Sequence, residues 1–135
     1  FYEGALRLRR ARVTLPRMQR GDPARVAVEA YPGLAARKLL GRESYKNDPA
    51  GTSRAPARRR LVEALRDGAL SGAYGFRVVL RDADAAALAE ARDADALDAV
   101  LAALQAAWSE AAPGCGLPRA FDTLEGWIVD PETLP

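Results

Sequence analysis

The amino-acid sequence predicts a mixed α/β fold from three observations. Residues 93–108 carry apolar side chains at helical spacing, which is typical of a long helix packed on a core. Alternating polar and apolar residues over 25–30 predict a short strand. A length of 135 residues is sufficient for one domain with its own core. We therefore expect residues 1–135 to form a single domain, with a short central sheet and several flanking helices.

The N-terminal third of the chain predicts a helix, an irregular connection and a strand. Tyr2 and Leu6 share one helical face, and this helix should end before Val13. Prolines and glycine make residues 15–23 an irregular connection. In the strand predicted over 25–30, two valines share one face, and a glutamate, Glu29, lies near its end on the other.

The middle of the chain predicts two helices and a polar loop. Pro32 suits the first turn of a helix that runs to Leu40 and is ended by glycine. Residues 43–52 form a polar loop with turn-forming residues. A second helix should begin at Pro56 and end near Gly68.

The C-terminal half predicts a short strand, two helices and a final extended segment. We expect the strand over residues 76–80 and an alanine-rich helix over 82–90. The next helix, which carries the long apolar stripe, should end at Pro113. The extended segment should cover residues 125–129. The stripe consists of Leu97, Val100, Leu101, Leu104 and Trp108.

Composition excludes several classes of chemistry. The chain has no histidine and one cysteine, Cys115, which excludes serine–histidine and cysteine–histidine catalysis, histidine-ligated metals and an internal disulfide. A metal ion would therefore need oxygen ligands. No apolar run approaches the ~20 residues of a membrane span, so we expect no membrane partner. A single cysteine suits a reducing compartment, and we expect a cytoplasmic protein.

The positive charge is concentrated in the first part of the chain. The net charge is only +2, but arginines crowd the N-terminal segment, whereas acidic residues gather between Asp82 and Asp98. Arginine pairs well with phosphate, so this segment is a candidate nucleic-acid surface, and a solvated charged face is the alternative. A second arginine group, Arg54 with Arg58, Arg59 and Arg60, opens the predicted helix after Pro56. It predicts either an anionic ligand or pairing with neighbouring acids.

Asp95 and Asp98 lie on one side of the first turn of the long helix, beside its apolar stripe. One interpretation is electrostatic, because acids favour a helix N-terminus and Asp93 suits the N-cap position. The other is a divalent metal site, which would need a third acid. Glu29 is the candidate, since a strand end and a helix start can converge. The alternative for Glu29 is a sheet edge or an ion pair with Arg25 or Arg37.

Four short motifs together resemble an uncharacterised bacterial family of predicted RNase H-like nucleases. The likeness extends from about Val26 to Pro131. The order of the four motifs along the chain is the main support for this resemblance, since each motif alone is weak. They are Val28-Glu29-Ala30-Tyr31-Pro32, Tyr45-Lys46-Asn47-Asp48-Pro49-Ala50-Gly51-Thr52, Asp95-Ala96-Leu97-Asp98-Ala99 and Glu125-Gly126-Trp127-Ile128.

The resemblance implies a partial RNase H-like fold and a metal-dependent nuclease that hydrolyses nucleic-acid phosphodiesters with Mg²⁺ or Mn²⁺. Its metal ligands and catalytic residues would be Glu29, Asp95 and Asp98. The residues in contact with substrate would be Lys46, Arg54 and Arg58.

The sequence departs from the RNase H-like pattern at its start. Such sites also use an aspartate on the first strand, and nothing before Arg25 resembles that strand. We therefore expect the C-terminal portion of such a domain, incomplete as a nuclease, with a sheet edge that a homodimer or a preceding segment would complete. The alternatives are a non-catalytic α/β scaffold that binds nucleic acid or a protein through its arginine-rich surface, and a structural assembly role.

Overall fold

The computed structural model describes residues 2–47 and 53–134. Within them the protein is a mixed α/β structure in which helices predominate. A short 3-10 helix, Pro113–Gly116, follows the last α-helix. The elements in chain order are α1 (Tyr2–Arg10), β1 (Val13–Thr14), β2 (Asp22–Val26), α2 (Pro32–Leu40), α3 (Ala55–Arg66), α4 (Ser71–Tyr74), α5 (Asp82–Glu90) and α6 (Asp95–Ala111).

The sheet found in the described residues is small and has two parallel strands, β1 and β2. Val13 pairs with Asp22 and Thr14 with Val26, with an irregularity between the two pairs. The predicted strand over 25–30 is therefore wrong at both ends. Strand β2 begins three residues earlier, includes Pro23 and is exposed along its whole length, which fits the confinement of proline to edge strands.

The core lies between the helices, and α6 packs against α2 and α4 at its centre. Leu61 and Leu65 of α3 belong to the same core cluster as Leu97 and Leu101 of α6, and each of the four is at most 1% exposed. Full burial of one such leucine contributes roughly 1.5–3 kcal/mol. The apolar stripe predicted from helical spacing is thus the buried face of α6.

Residues 76–80 are not a strand, contrary to the sequence prediction. Their side chains do alternate, since Phe76, Val78 and Leu80 pack against the core while Val79 is 90% exposed. No neighbouring strand pairs with this segment in the described part of the chain. The side chains of residues 76–80 thus alternate in burial as they would in a strand. Their backbone lacks the hydrogen-bonded partner strand that defines one in the described chain.

The start of α6 differs by one residue from the sequence prediction. Ala94, not Asp93, occupies the N-cap position and makes no side-chain cap. Asp93 instead accepts a hydrogen bond through Oδ1 from the backbone N–H of Asp95, at 3.2 Å. As for membrane insertion, none of the helices within 2–47 and 53–134 has the length and apolar character needed to span a bilayer.

Candidate functional site

Asp98 binds two consecutive residues of the loop that follows α2. Its Oδ1 accepts a hydrogen bond from the Tyr45 hydroxyl at 2.5 Å. Its Oδ2 accepts one from Lys46 Nζ, also at 2.5 Å, in an ion pair. The carboxylate is therefore engaged through both oxygens at the N-terminal turn of α6, where the helix dipole also favours a negative charge.

Arg58 fixes the backbone of this loop from inside the protein. The residue is only 2% exposed. Its Nη1 donates to the Tyr45 carbonyl at 3.1 Å and to Asn47 Oδ1 at 3.0 Å, and its Nε donates to the Ala89 carbonyl at 3.3 Å. One guanidinium thus links α3, the end of α5 and the loop, and it sets the position from which Lys46 reaches Asp98.

Asn47 completes the attachment of the loop. Its Nδ2 donates to the Arg92 carbonyl at 2.8 Å, and its Oδ1 accepts from the Arg54 backbone N–H at 2.8 Å. The loop is therefore bound to the segment before α6 and to the start of α3. We call Tyr45, Lys46, Asn47, Arg58 and Asp98 the loop-anchor cluster.

Burial and Asp98 together keep the Tyr45 hydroxyl protonated. The pKa of Tyr45 lies well above its ordinary value, first because the ring is buried and then because the neutral hydroxyl donates to Asp98. The negative charge of Asp98 adds to the same direction. Tyr45 therefore acts as a hydrogen-bond donor over the whole physiological pH range.

The residues expected to contact substrate lie in different environments. Lys46 exposes 56% of its side chain and Asp95 is exposed, so both are accessible. Arg54 is half-buried. Arg58 is buried and donates to carbonyl and amide oxygens through Nε and Nη1, so it is not accessible for the substrate contact expected of it. Its role in this fold is to position the loop.

Glu29 forms no hydrogen bond or ion pair with the loop-anchor cluster. It forms an isolated parallel bridge with Ile128, and its carbonyl accepts a hydrogen bond from the Val129 N–H at 2.8 Å. The same segment reaches α6 where Gln105 Nε2 donates to the Tyr31 carbonyl at 3.2 Å. Gln105 is seven residues beyond Asp98, which corresponds to about 10 Å along the helix.

The described residues do not fit a cation site as they stand. Across residues 2–47 and 53–134, no group of three or more acidic or cysteine side chains is arranged to hold a metal ion. Both oxygens of Asp98 already accept hydrogen bonds, one of them from a cation. The structure brings Lys46 to Asp98, with Asp95 on the same helical turn, and does not join Glu29 to them.

The four sequence motifs nevertheless meet in two pairs. Residues 28–32 pair with residues 125–128 through the bridge at Glu29. Residues 45–47 pair with residues 95–99 through Asp98. The rest of the second motif, residues 48–52, lies outside the described residues.

The two arginine groups noted in the sequence differ in their ion pairing. Four arginines on α3 and before α5 form ion pairs, with Arg59 2.6 Å from Glu90, Arg66 2.5 Å from Asp82, Arg81 2.7 Å from Asp84, and Arg60 also bonded to Glu43. Hydrogen bonding to Asp84 raises the pKa of Arg81 and lowers that of Asp84.

The N-terminal group is different. Arg9, Arg12 and Arg20 line one concave region of about 530 Å³ together with Gln19. These three arginines form no ion pair with any residue of the described chain. Asp22 lines the same region, but its Oδ1 accepts from the Ala24 N–H at 2.9 Å. We call Arg9, Arg12, Arg20 and Gln19 the arginine surface.

Comparison with known proteins identifies a family without assigning an activity. Among curated proteins and among solved structures, no significant match is found. The model of one family, described as "Protein of unknown function (DUF429)", matches residues 5–119. That range covers part of α1, all the elements from β1 to α6 and the loop-anchor cluster. This chain therefore belongs to the DUF429 family of proteins of unknown function.

Proposed function

We propose that this chain binds the phosphate backbone of nucleic acid through the arginine surface. The observation that carries the proposal is the contrast between the two arginine groups. The exposed arginines of α3 that the structure pairs, Arg59, Arg60 and Arg66, already have carboxylate partners. By contrast, Arg9, Arg12 and Arg20 have none in the described chain. Guanidinium groups bind phosphate in a bidentate manner, and release of the condensed counterions then favours binding.

The charge distribution supports an anionic partner at this end of the molecule. The first 26 residues contain seven arginines and two acidic residues, although the whole chain carries only +2. The remaining residues are thus net acidic. Like charges around one concave region repel each other, and a phosphate chain laid across them removes that repulsion.

Two triple variants with equal charge changes test this proposal. Arg9→Gln, Arg12→Gln and Arg20→Gln should weaken binding of labelled single-stranded and duplex oligonucleotides. The slope of log Kd against log salt should fall by about two to three, since each phosphate contact contributes roughly 0.7–0.9. The matched control is Arg59→Gln, Arg60→Gln and Arg66→Gln, which removes arginines that are already paired.

The control should retain the wild-type salt slope. Equal losses in the two triple variants would show that only total charge matters, and they would contradict a localised surface. Binding by the wild type that does not change with salt would contradict phosphate contact altogether. Thermal unfolding of each variant establishes that the differences arise in the folded protein.

A second candidate is a metal-dependent nuclease of RNase H-like type, with a partial RNase H-like fold. The observation that favours it is the pairwise meeting of the four motifs. Glu29, Asp95 and Asp98 would be the ligands of Mg²⁺ or Mn²⁺, which would activate water for phosphodiester hydrolysis. Lys46 and Arg54 would contact phosphate. Because the described residues do not fit a cation site, this candidate depends on the motifs and not on ligand geometry.

Cleavage assays on single-stranded, duplex and branched DNA and RNA test the nuclease candidate. Activity should require Mg²⁺ or Mn²⁺ and should be lost in Asp98→Asn. Glu110→Gln is the control, because Glu110 is an exposed acid on the same helix. Equal cleavage by wild type and Asp98→Asn would exclude this assignment, and metal-independent nucleic-acid binding would remain as the function.

A further inference from the structure

A cavity of about 510 Å³ lies between the N-terminal segment and the C-terminal segment. Its size is in the range of small-molecule sites. Among the described residues that line it, Glu29 has the only charged side chain. The apolar walls include Leu8, Leu15, Met18, Leu117, Phe121 and Trp127.

Glu29 lines this cavity and is exposed to solvent, and its carboxylate has no partner among the described residues. It forms no hydrogen bond or ion pair with the described residues. Gly126 provides the space for it, since a Cβ there would lie 2.9 Å from Glu29 Oε2. Glu29 also lines a second, more open region of about 440 Å³ with Glu125 and Thr133. The negative charge thus stands where the apolar cavity meets that region.

A cation beside the cavity, Arg17, is already engaged. Arg17 Nη1 donates to the Pro118 carbonyl at 2.5 Å, and Nη2 donates to the Arg119 carbonyl at 2.7 Å. The guanidinium carbon also lies 5.0 Å from the centre of the Phe121 ring. Arg17 therefore holds the wall in place and does not neutralise Glu29.

We propose that this cavity binds a small organic amine, with its apolar body between the walls and its protonated nitrogen on Glu29. An anionic ligand would be repelled by the carboxylate, and a neutral one would leave it unpaired. A second copy of this chain is a poor occupant, because it would bring two arginine-rich N-terminal segments together. An ammonium group on Glu29 forms a charge-assisted hydrogen bond, while burial of the apolar body between the walls contributes hydrophobic stabilisation.

Three probes with one body and different head groups test the proposal: phenylbutylamine, phenylbutanol and phenylbutanoate. Binding is followed by calorimetry and by the fluorescence of Trp127, which lines the cavity. The amine should bind the wild type most tightly and the carboxylate least. In Glu29→Gln the amine should lose about tenfold in affinity and approach the alcohol.

Two further variants separate the head-group contact from general effects. Glu125→Gln removes an exposed acid that lines only the second region, and amine binding should be unchanged. Met18→Gln alters the apolar wall at a residue that is 47% exposed, and it should weaken the amine and the alcohol alike. The proposal is overturned if no probe binds saturably or if the amine and the carboxylate bind with equal affinity. It is also overturned if Glu125→Gln reduces the affinity for the amine as much as Glu29→Gln does. None of these results depends on nucleic-acid binding.

Discussion

Lys46 Nζ lies 2.5 Å from Asp98 Oδ2, although 52 residues separate the two in the chain. The pair joins the loop after α2 to the first turn of α6. Lys46 exposes 56% of its side chain and Asp98 exposes 24%, so solvent screens much of the attraction. The geometry of the loop is therefore set mainly by buried contacts below the pair, and the pair determines where the exposed ammonium lies.

Asp98→Asn should have only a small effect on stability. The amide oxygen can still accept the Tyr45 hydrogen bond, and the exposed ion pair contributes less than about 1 kcal/mol. Urea denaturation at low and high salt measures the free energy of unfolding of both proteins. The difference between them should become smaller at high salt, because salt screens the ion pair of the wild type. A loss above about 2 kcal/mol, independent of salt, would show that the pair itself holds the fold together.

Arg58→Ala should be far more destabilising than Arg59→Ala. The first change leaves the Tyr45 and Ala89 carbonyls without a donor in the interior and should cost about 2–4 kcal/mol. The second removes an exposed ion pair with Glu90 and should cost less than about 1 kcal/mol. Chemical denaturation of both variants gives the comparison, and similar losses would contradict an anchoring role for Arg58.

Arg58 and Arg59 differ in their positions around the axis of α3, and these positions can be read from the sequence. Arg58 precedes Leu61, Val62 and Leu65 by three, four and seven residues, so it lies on their buried face. Arg59 is rotated off that face. When the arginines are grouped by charge alone, this distinction is lost, because the group then includes both buried and exposed helical positions.

Helical segments were predictable from the sequence, whereas pairing between distant segments was not. The apolar stripe on α6 and the proline in the first turn of α2 predicted these helices, because both signals are local. The short sheet of β1 and β2 depends on contacts between separate segments, and the spacing of apolar residues within one segment does not reveal such contacts. The same limit applies to Glu29 with Asp95 and Asp98: spacing places each acid on an element but does not give the distance between elements.

Gly126→Ala should destabilise the protein and displace Glu29. Gly126 has φ of 82°, which is unfavourable for alanine, and the new Cβ would meet Glu29 Oε2. We expect a loss of about 1–2 kcal/mol in the free energy of unfolding. Gly72→Ala is the control, because that helical glycine has free space around it and an ordinary φ, so alanine should be neutral or stabilising. Equal behaviour of the two variants would contradict a special role for Gly126.

A second buried network ties the C-terminal segment to the helices. Asp130 is fully buried and accepts hydrogen bonds through Oδ2 from the Tyr74 hydroxyl at 2.5 Å and from Gln105 Nε2 at 2.7 Å. Its Oδ1 accepts from the Glu132 N–H at 3.0 Å. Nothing local in the sequence indicates that this carboxylate is buried.

Stability should decrease as the pH rises above about 10, and Tyr45 and Tyr74 should be the cause. Burial, and hydrogen bonding to Asp98 and Asp130 respectively, raise the pKa of each tyrosine in the folded state above its unfolded value. The folded protein therefore holds these protons more tightly than the unfolded chain. Their contribution is complete below the unfolded pKa and is lost as the pH rises from there towards the folded pKa.

Tyr74→Phe should lower the free energy of unfolding by about 1–2 kcal/mol at neutral pH, because Asp130 loses a donor. Above about pH 10 the variant should lose less further stability than wild type, since one of the two titrating hydroxyls is absent. Thr123→Val is the control, because it removes an exposed hydroxyl that does not titrate in this range and should leave the pH dependence unchanged. Urea denaturation across this alkaline range measures all three proteins, and parallel curves for wild type and Tyr74→Phe would show that the Tyr74 hydroxyl does not govern alkaline unfolding.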